Sequence, residues 1–510
     1  PHMSLRYSVV LALTVGLVGI GARLVAGLAF SWPLLLWLGM ALVVLLALTS
    51  RRRHTISLRV RWPEVLTGLV LIFWTIGVVW GQGYLSPIYE RQFVAGRTHI
   101  DTLYLSSYAN MLTNYRTMST GVDGFAHVPY HFLSNLVMGV LGKIGGVGAF
   151  AAYHLAFPIV IVPIFFFVLL RSLEILKPAT PSVAFAILTL GTVGIMPQEW
   201  RLDIIIGWNS VLGSESYTVG LIMLLSLCFV LWRHSSSSKT VPTGKILLAA
   251  MLVFLCGLSK ISLAALIACA AAYWWLRWHR SQVKLLAWPL LFGVATLASF
   301  LIANDPAVAG GIRPLDFIRN YVPMKALPWF FVQYWPLALL WGTRKQGTRE
   351  ETVATELLTV IAVAGIIPGL VLSIAGGSAF YFINVYYWPA LVLATSRTST
   401  VVAMRADSIR RARFNPIVIF VGAIIIGTAL VNTLVADHLF TIRLRASLAQ
   451  ENSDMKELQA ALQSIPDDNP GESVVWISSD LTTYWNNDYS PEARGFFVPA
   501  LTGLATLWGV

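Results

Sequence analysis

The sequence predicts an all-α polytopic membrane protein, a bundle of about thirteen transmembrane helices with a small α/β piece at its C-terminal end. Three observations predict it. Of 510 residues, 56% are hydrophobic and 12% charged, and the mean hydropathy is +0.70. Apolar runs of about 15 to 23 residues, the length a bilayer core demands, recur along nearly the whole chain. The remaining polar residues gather in a few loops, with basic and acidic residues divided between alternate ones.

Taken in order, spans are expected near 7–29, 32–49, 63–83, 148–171, 180–198, 217–233, 245–259, 262–278, 284–303, 328–342, 357–375, 379–396 and 415–437. Pro1 and His2 before Met3 read as the remnant of a cleaved tag, so residues 1–3 are set aside and 4–437 form the membrane domain. The first span could pass for a signal peptide, but no small-residue cleavage site follows and a second span begins almost at once. It reads as a retained helix.

Charge orients the spans. With the N-terminus cytoplasmic, the inner connections hold 22 of the 36 Lys and Arg but only 6 of the 24 Asp and Glu, with clusters at Arg51, Arg52 and Arg53 and at Arg410, Arg411 and Arg413. The net charge of +12 is therefore a topology signal, placing a multi-pass chain in a bacterial inner membrane with its C-terminus periplasmic. Nucleic acid is not an expected partner, because the basic clusters sit in short loops without interleaved aromatics. Every long polar loop then falls outside: 84–147, 199–216, 304–327 and the tail 438–510.

The first outer loop holds the longest polar interruption before the tail, Gly96–Phe132, which gathers His99, Asp101, Asp123, His127 and His131. Ile100, Leu103, Tyr104, Tyr108, Met111, Leu112 and Tyr115 follow i, i+3, i+4 spacing, predicting an interfacial amphipathic helix; a second is expected from near Tyr130 to Leu141. Asp101 has two readings. Thr98 as N-cap with Asp101 three residues on makes a capping box, and a carboxylate at a dry, membrane-flush site can act as general base. Neither excludes the other. His127 and His131, spaced i, i+4, could hold a divalent cation with Asp101, but two such histidines are more often hydrogen-bonded, and no metal ligand is assigned.

In the second outer loop Glu199, Arg201, Asp203, Asn209 and Glu215 lie among Trp200, Trp208 and Tyr217. Carboxylates bind sugar hydroxyls while aromatic faces stack on the C–H face of a pyranose; an interfacial aromatic belt would look the same. Two short apolar runs then meet at Gly257–Ser262, placing Lys260 at their outer ends, where an ammonium in an apolar zone marks a phosphate path or snorkels. Arg313, Arg319 and Lys325 follow in an aromatic, Pro-rich loop, suited to bidentate phosphate contact or to ordinary membrane-lipid headgroups. Tyr381, Asn384, Tyr386 and Tyr387 begin a later span, where they could line a lipid groove.

In the tail, 442–463 reads as an amphipathic helix, PDDNPG as a turn and VVWIS from Val474 as a strand. The apolar end FFVPALTGLATLWGV, broken by Pro499 and Gly503, is too short to span, so it either packs back or the protein continues. Cys228, Cys256 and Cys269 lie in apolar segments without a CxxC, which argues against a disulfide framework or zinc knuckle. No P-loop or flanked GxGxxG marks a nucleotide site.

This layout resembles the membrane glycosyltransferases of the C superfamily (GT-C), which take sugars from polyprenyl phosphate carriers and include aminoarabinose transferases and protein mannosyltransferases. The likeness rests on the long first outer loop with two interfacial helices and the early carboxylate Asp101, on the GLSK hairpin at Lys260, and on the outer tail. It implies that Asp101 acts as base or metal ligand and that Lys260 or Arg313 holds the carrier phosphate. Two features differ from the family pattern: the loop follows the third span, not the first, and Asp101 lacks an adjacent acidic partner.

The expected activity is inverting transfer of one sugar from a polyprenyl phosphate to an envelope glycan, lipid or protein at the periplasmic face. Asp101 would be the base, His99 or the second loop would orient the sugar, and a divalent cation is the one cofactor left open. Two rivals are a transporter or flippase of lipid-linked sugars, which predicts inverted repeats and midplane charges, and a polysaccharide polymerase or ligase, which needs a large late loop rich in Arg and His.

Overall fold

The computed structural model describes residues 3–49, 62–81, 84–193, 214–235, 243–303, 310–321, 348–374, 378–411, 416–449, 452–465, 473–485, 489 and 491–508. They divide into two compact units, one of Pro1–Tyr7, Arg53–Leu71 and Phe165–Leu434, the other of Ser8–Arg52, Ile72–Ile164 and Val435–Val510. Six described helices are long and apolar enough to cross a membrane: Met3–Val25, Ala149–Ile175, Glu215–His234, Ile261–Trp278, Val283–Ala303 and Arg349–Val371. Shorter apolar helices cover Trp32–Ala47, Glu64–Trp80, Leu133–Ile144, Pro181–Val193 and Gly244–Ser259. The span expected at 328–342 lies outside the described residues.

In the first unit Thr348 caps Arg349–Ala364, its hydroxyl accepting the Glu351 N–H at 3.3 Å. The span expected at 357–375 falls on Arg349–Val371, which has a turn at Gly365, where a Cβ would collide with the Phe382 carbonyl. The span expected at 379–396 is broken into Phe380–Asn384 and Tyr387–Arg411. Pro389 in the first turn of the latter has no N–H to extend the preceding helix, which suits a fresh start. Close packing among Glu215–Ser235, Thr243–Ser259, Ile261–Trp278 and Ala287–Ala303 depends on two glycines. A Cβ at Gly257 would strike Ser299, and one at Gly220 would strike Leu263.

In the second unit the two expected loop helices are present at Ile100–Asn114 and Leu133–Ile144, with a short helix Tyr89–Val94 before them. The second begins at Leu133 instead of Tyr130. Pro129 biases Val128 towards extended backbone, and the Val128 N–H bonds the Met118 carbonyl at 2.7 Å. The tail folds back on this loop. Asn452 caps Ser453–Gln463, accepting the N–H of Asp454 at 2.9 Å and of Met455 at 3.2 Å. Val474–Ile477 pairs in parallel with Ala505–Trp508, Val474 opposite Ala505. Between them Phe497–Thr502 ends at Gly503, whose φ of +76° turns the chain into the strand.

The apolar ending is thus core. Phe93 and Leu103 of the loop pack with Met455, Tyr484, Tyr489 and Phe497 of the tail. Asn110 joins them: Nδ2 donates to the carbonyls of Pro499 at 2.9 Å and Ala500 at 3.1 Å, and Oδ1 accepts the Ala149 N–H at 3.1 Å. Asn110→Ala strands these buried groups and is expected to cost about 2–3 kcal/mol, read as a lower thermal midpoint of the purified protein. An unchanged midpoint would contradict this role.

Candidate functional site

In the first unit the helix Thr243–Ser259 and the helix Ile261–Trp278 are separated by one residue, Lys260, in extended backbone with φ −160° and ψ 111°. Its N–H bonds the Cys256 carbonyl at 2.7 Å and its carbonyl accepts the Leu263 N–H at 3.1 Å. Ser259 ties the junction to the neighbouring helix, its hydroxyl donating to the Ser216 carbonyl at 2.6 Å. A single extended residue between two helices fixes where the lysine side chain goes.

That side chain is 9% exposed, and its Nζ stands 3.7 Å from the centroid of the Tyr381 ring. A cation over an aromatic face gains about 0.5–2 kcal/mol. Among the described residues no carboxylate comes within ion-pair distance of it. The ring of Tyr381 lies 5.2 Å from that of Tyr217 and 4.1 Å from that of Phe380. Among the described residues, the Tyr217 hydroxyl and both polar side-chain atoms of Asn384, one turn beyond Tyr381, are buried without hydrogen-bond partners. An ammonium, a phenol and an amide with unspent bonding capacity make a site for an anionic, oxygen-rich ligand.

Arg313 on a loop and Arg319 in the short helix Asp316–Tyr321 stand exposed in the same unit. Gly311–Ile312 pairs antiparallel with Leu372–Ser373, and Asp316 accepts from Ser373 Oγ at 2.7 Å and from Asn320 Nδ2 at 2.9 Å. Phe317, buried on the same turn, reaches the Phe380 ring at 6.2 Å, which links the loop to the Tyr381 cluster. The structure thus brings Lys260 and Tyr381 into contact and leaves the two arginines at the surface. Glu199, Arg201, Asp203, Trp208 and Asn209 lie outside the described residues, as does Lys325.

In the second unit the N-cap of Ile100–Asn114 is His99, not Thr98. Its Nδ1 accepts the Asp101 N–H at 3.2 Å and stands 3.8 Å from Asp101 Oδ2. Thr98 is buried instead, its N–H donating to the Tyr489 hydroxyl at 3.3 Å and its hydroxyl making no hydrogen bond among the described residues. The Asp101 side chain is 65% exposed, and within its unit the carboxylate is open, not enclosed. His127 and His131 precede the helix at Leu133, so the helical i, i+4 spacing is not realised. Among the described residues no three His, Cys, Asp or Glu side chains are grouped as a metal would need.

Sequence reasoning passed over a buried ion pair in this unit. Arg23 is 6% exposed and grips Glu90 with both Nη atoms, at 2.9 and 3.0 Å. The signal was legible: an arginine near the end of an apolar helix requires a counter-charge. Phe317 and Phe380, which frame Tyr381, carried no signal beyond hydrophobicity.

No family model matches the chain, and no curated protein does. Among solved structures, the chain is similar to the crystal structure of ArnT from Cupriavidus metallidurans bound to undecaprenyl phosphate, at 10% identity over 88% of this chain and 85% of that one, with a TM-score of 0.45.

Proposed function

We propose that the chain is a GT-C-like membrane glycosyltransferase with about thirteen crossings, moving a sugar from a polyprenyl phosphate to an envelope glycan, lipid or protein at the periplasmic face of the bacterial inner membrane. The observation that carries the reading is the buried Lys260 ammonium, roofed by Tyr381 and without a carboxylate partner among the described residues. A buried cation is costly unless something anionic meets it. A lipid phosphate does so, with Arg313 and Arg319 gathering it at the surface.

The acceptor hydroxyl oxygen attacks the anomeric carbon as the bond from that carbon to the phosphate oxygen breaks. The proton passes to Asp101, and the electron pair leaves with the carrier phosphate. That phosphate gains a negative charge, which the Lys260 ammonium offsets more strongly in the transition state than in the ground state. Residues 199–209 would orient the sugar.

The test is turnover of synthetic polyprenyl phosphate sugars by purified protein. Wild type is expected to release sugar to acceptor, and Asp101→Asn to lower the rate by about 10²–10⁴-fold. Undiminished turnover in that variant removes Asp101 from the mechanism. No turnover with any such donor favours a transporter of lipid-linked sugars instead.

A further inference from the structure

Within the second unit a cavity of about 200 Å³ opens between the Tyr89–Val94 helix, the Val147–Ala151 segment where the helix at Ala149 begins, and the Ser453–Gln463 helix. Neither Asp101 nor His99 lines it. It is smaller than the roughly 300–1,000 Å³ of drug-sized sites, which suits a single ring. Its apolar wall includes Phe93, Phe150 and Leu501, and its polar side chains are Glu90, Gln459 and Gln463.

Glu90 sets the chemistry. The Arg23 fork uses one lone pair on each carboxylate oxygen and cancels the charge, and the Tyr89 hydroxyl also bonds this carboxylate, leaving one lone pair to accept from a ligand hydroxyl. Arg23 is itself pinned by the Pro87 carbonyl at 3.2 Å, so the carboxylate is fixed in place. The Tyr89 ring beside it is held by stacking on His154 at 5.2 Å, by an edge contact with Phe150 at 5.3 Å and by the Arg23 guanidinium 5.7 Å over it. Gln459 and Gln463, one turn apart, make no hydrogen bond among the described residues and offer two amides.

We infer that this cavity binds one neutral pyranose ring of a glycan. One hydroxyl meets the remaining acceptor site of Glu90, other hydroxyls meet the two amides, and the C–H face of the ring lies on the apolar wall of Phe93, Phe150 and Leu501. The Arg23–Glu90 pair has no net charge, so an ammonium or carboxylate on the ligand gains nothing and loses its hydration. The inference concerns binding alone and stands whether or not the bound sugar is transferred.

Gly148 supplies a clean test. It lines the cavity, its φ of −68° and ψ of 164° suit any residue, and a Cβ there meets nothing within 4 Å. Gly148→Leu therefore fills open space without strain. Saturation-transfer NMR on full-length protein in a sugar-free detergent, titrated with methyl glucoside, galactoside and mannoside, reads affinity at equilibrium without any lipid donor, so failure of the transfer reading would not move it. At least one glycoside is expected to bind, with glucosamine and glucuronate weaker. Gly148→Leu and the double variant Gln459→Ala/Gln463→Ala should each lose about tenfold or more. No transfer to any neutral glycoside, unchanged affinity in Gly148→Leu, or tighter binding of a charged sugar overturns the inference.

Discussion

Lys260→Met is expected to lower turnover of a polyprenyl phosphate sugar by about 10²–10³-fold, the usual loss when one group stabilising transition-state charge is removed, while raising the thermal midpoint of the empty protein. Methionine keeps the length and flexibility of the side chain and discards the charge. The contact with Tyr381 returns at most about 2 kcal/mol, whereas desolvating an ion without a counter-charge costs several. Desolvation wins, so the neutral variant should be the more stable by about 1 kcal/mol or more. Opposite signs for stability and activity are the mark of a group held for function. If both fall together, Lys260 is structural and the anion site is lost from the account.

Phe497→Ala should have the largest effect on folding, about 3–5 kcal/mol. The ring is fully buried, edge-on to Phe93 at 5.3 Å and to Tyr489 at 4.9 Å, so its removal opens a hole between the first loop and the tail. The strand Ala505–Trp508 follows within the same tail and should lose protection with it. Limited proteolysis is expected to cleave the tail of the variant and spare wild type. Trp476→Ala is the control: this side chain is 65% exposed, and its loss should move stability by no more than about 0.5 kcal/mol. Equal sensitivity of the two variants would contradict a shared loop-and-tail core.

Single elements were legible because apolar runs, i, i+4 spacing and β-branched stretches are local properties: the helix Ile100–Asn114 and the strand Val474–Ile477 follow directly from their own residues. What closes over them was not. The partner of Val474–Ile477 is Ala505–Trp508, and no local pattern specifies a parallel pairing across that interval. Too short to span, the ending FFVPALTGL left open whether it packs back, and the Asn110 hydrogen bonds and the Phe93 contact show that it does.

The candidate site was legible in part for the same reason. Lys260 stood out because an ammonium between two short apolar runs is rare, and it does meet Tyr381, but nothing in the spacing could foretell that contact. The capping box at Thr98 failed because long-range burial against Tyr489 outweighed a local preference, shifting the cap to His99. The Arg23–Glu90 pair joins residues far apart in the chain, so only one half of it was visible as an anomaly.

Equilibrium binding of a short-chain polyprenyl phosphate to the purified protein, compared between wild type and Lys260→Met, tests the central claim most directly. The account predicts at least about tenfold weaker binding in the variant, equivalent to roughly 1.4 kcal/mol, and a ligand-induced rise in thermal midpoint that wild type shows and the variant lacks. Equal affinity and equal stabilisation in both proteins would contradict it.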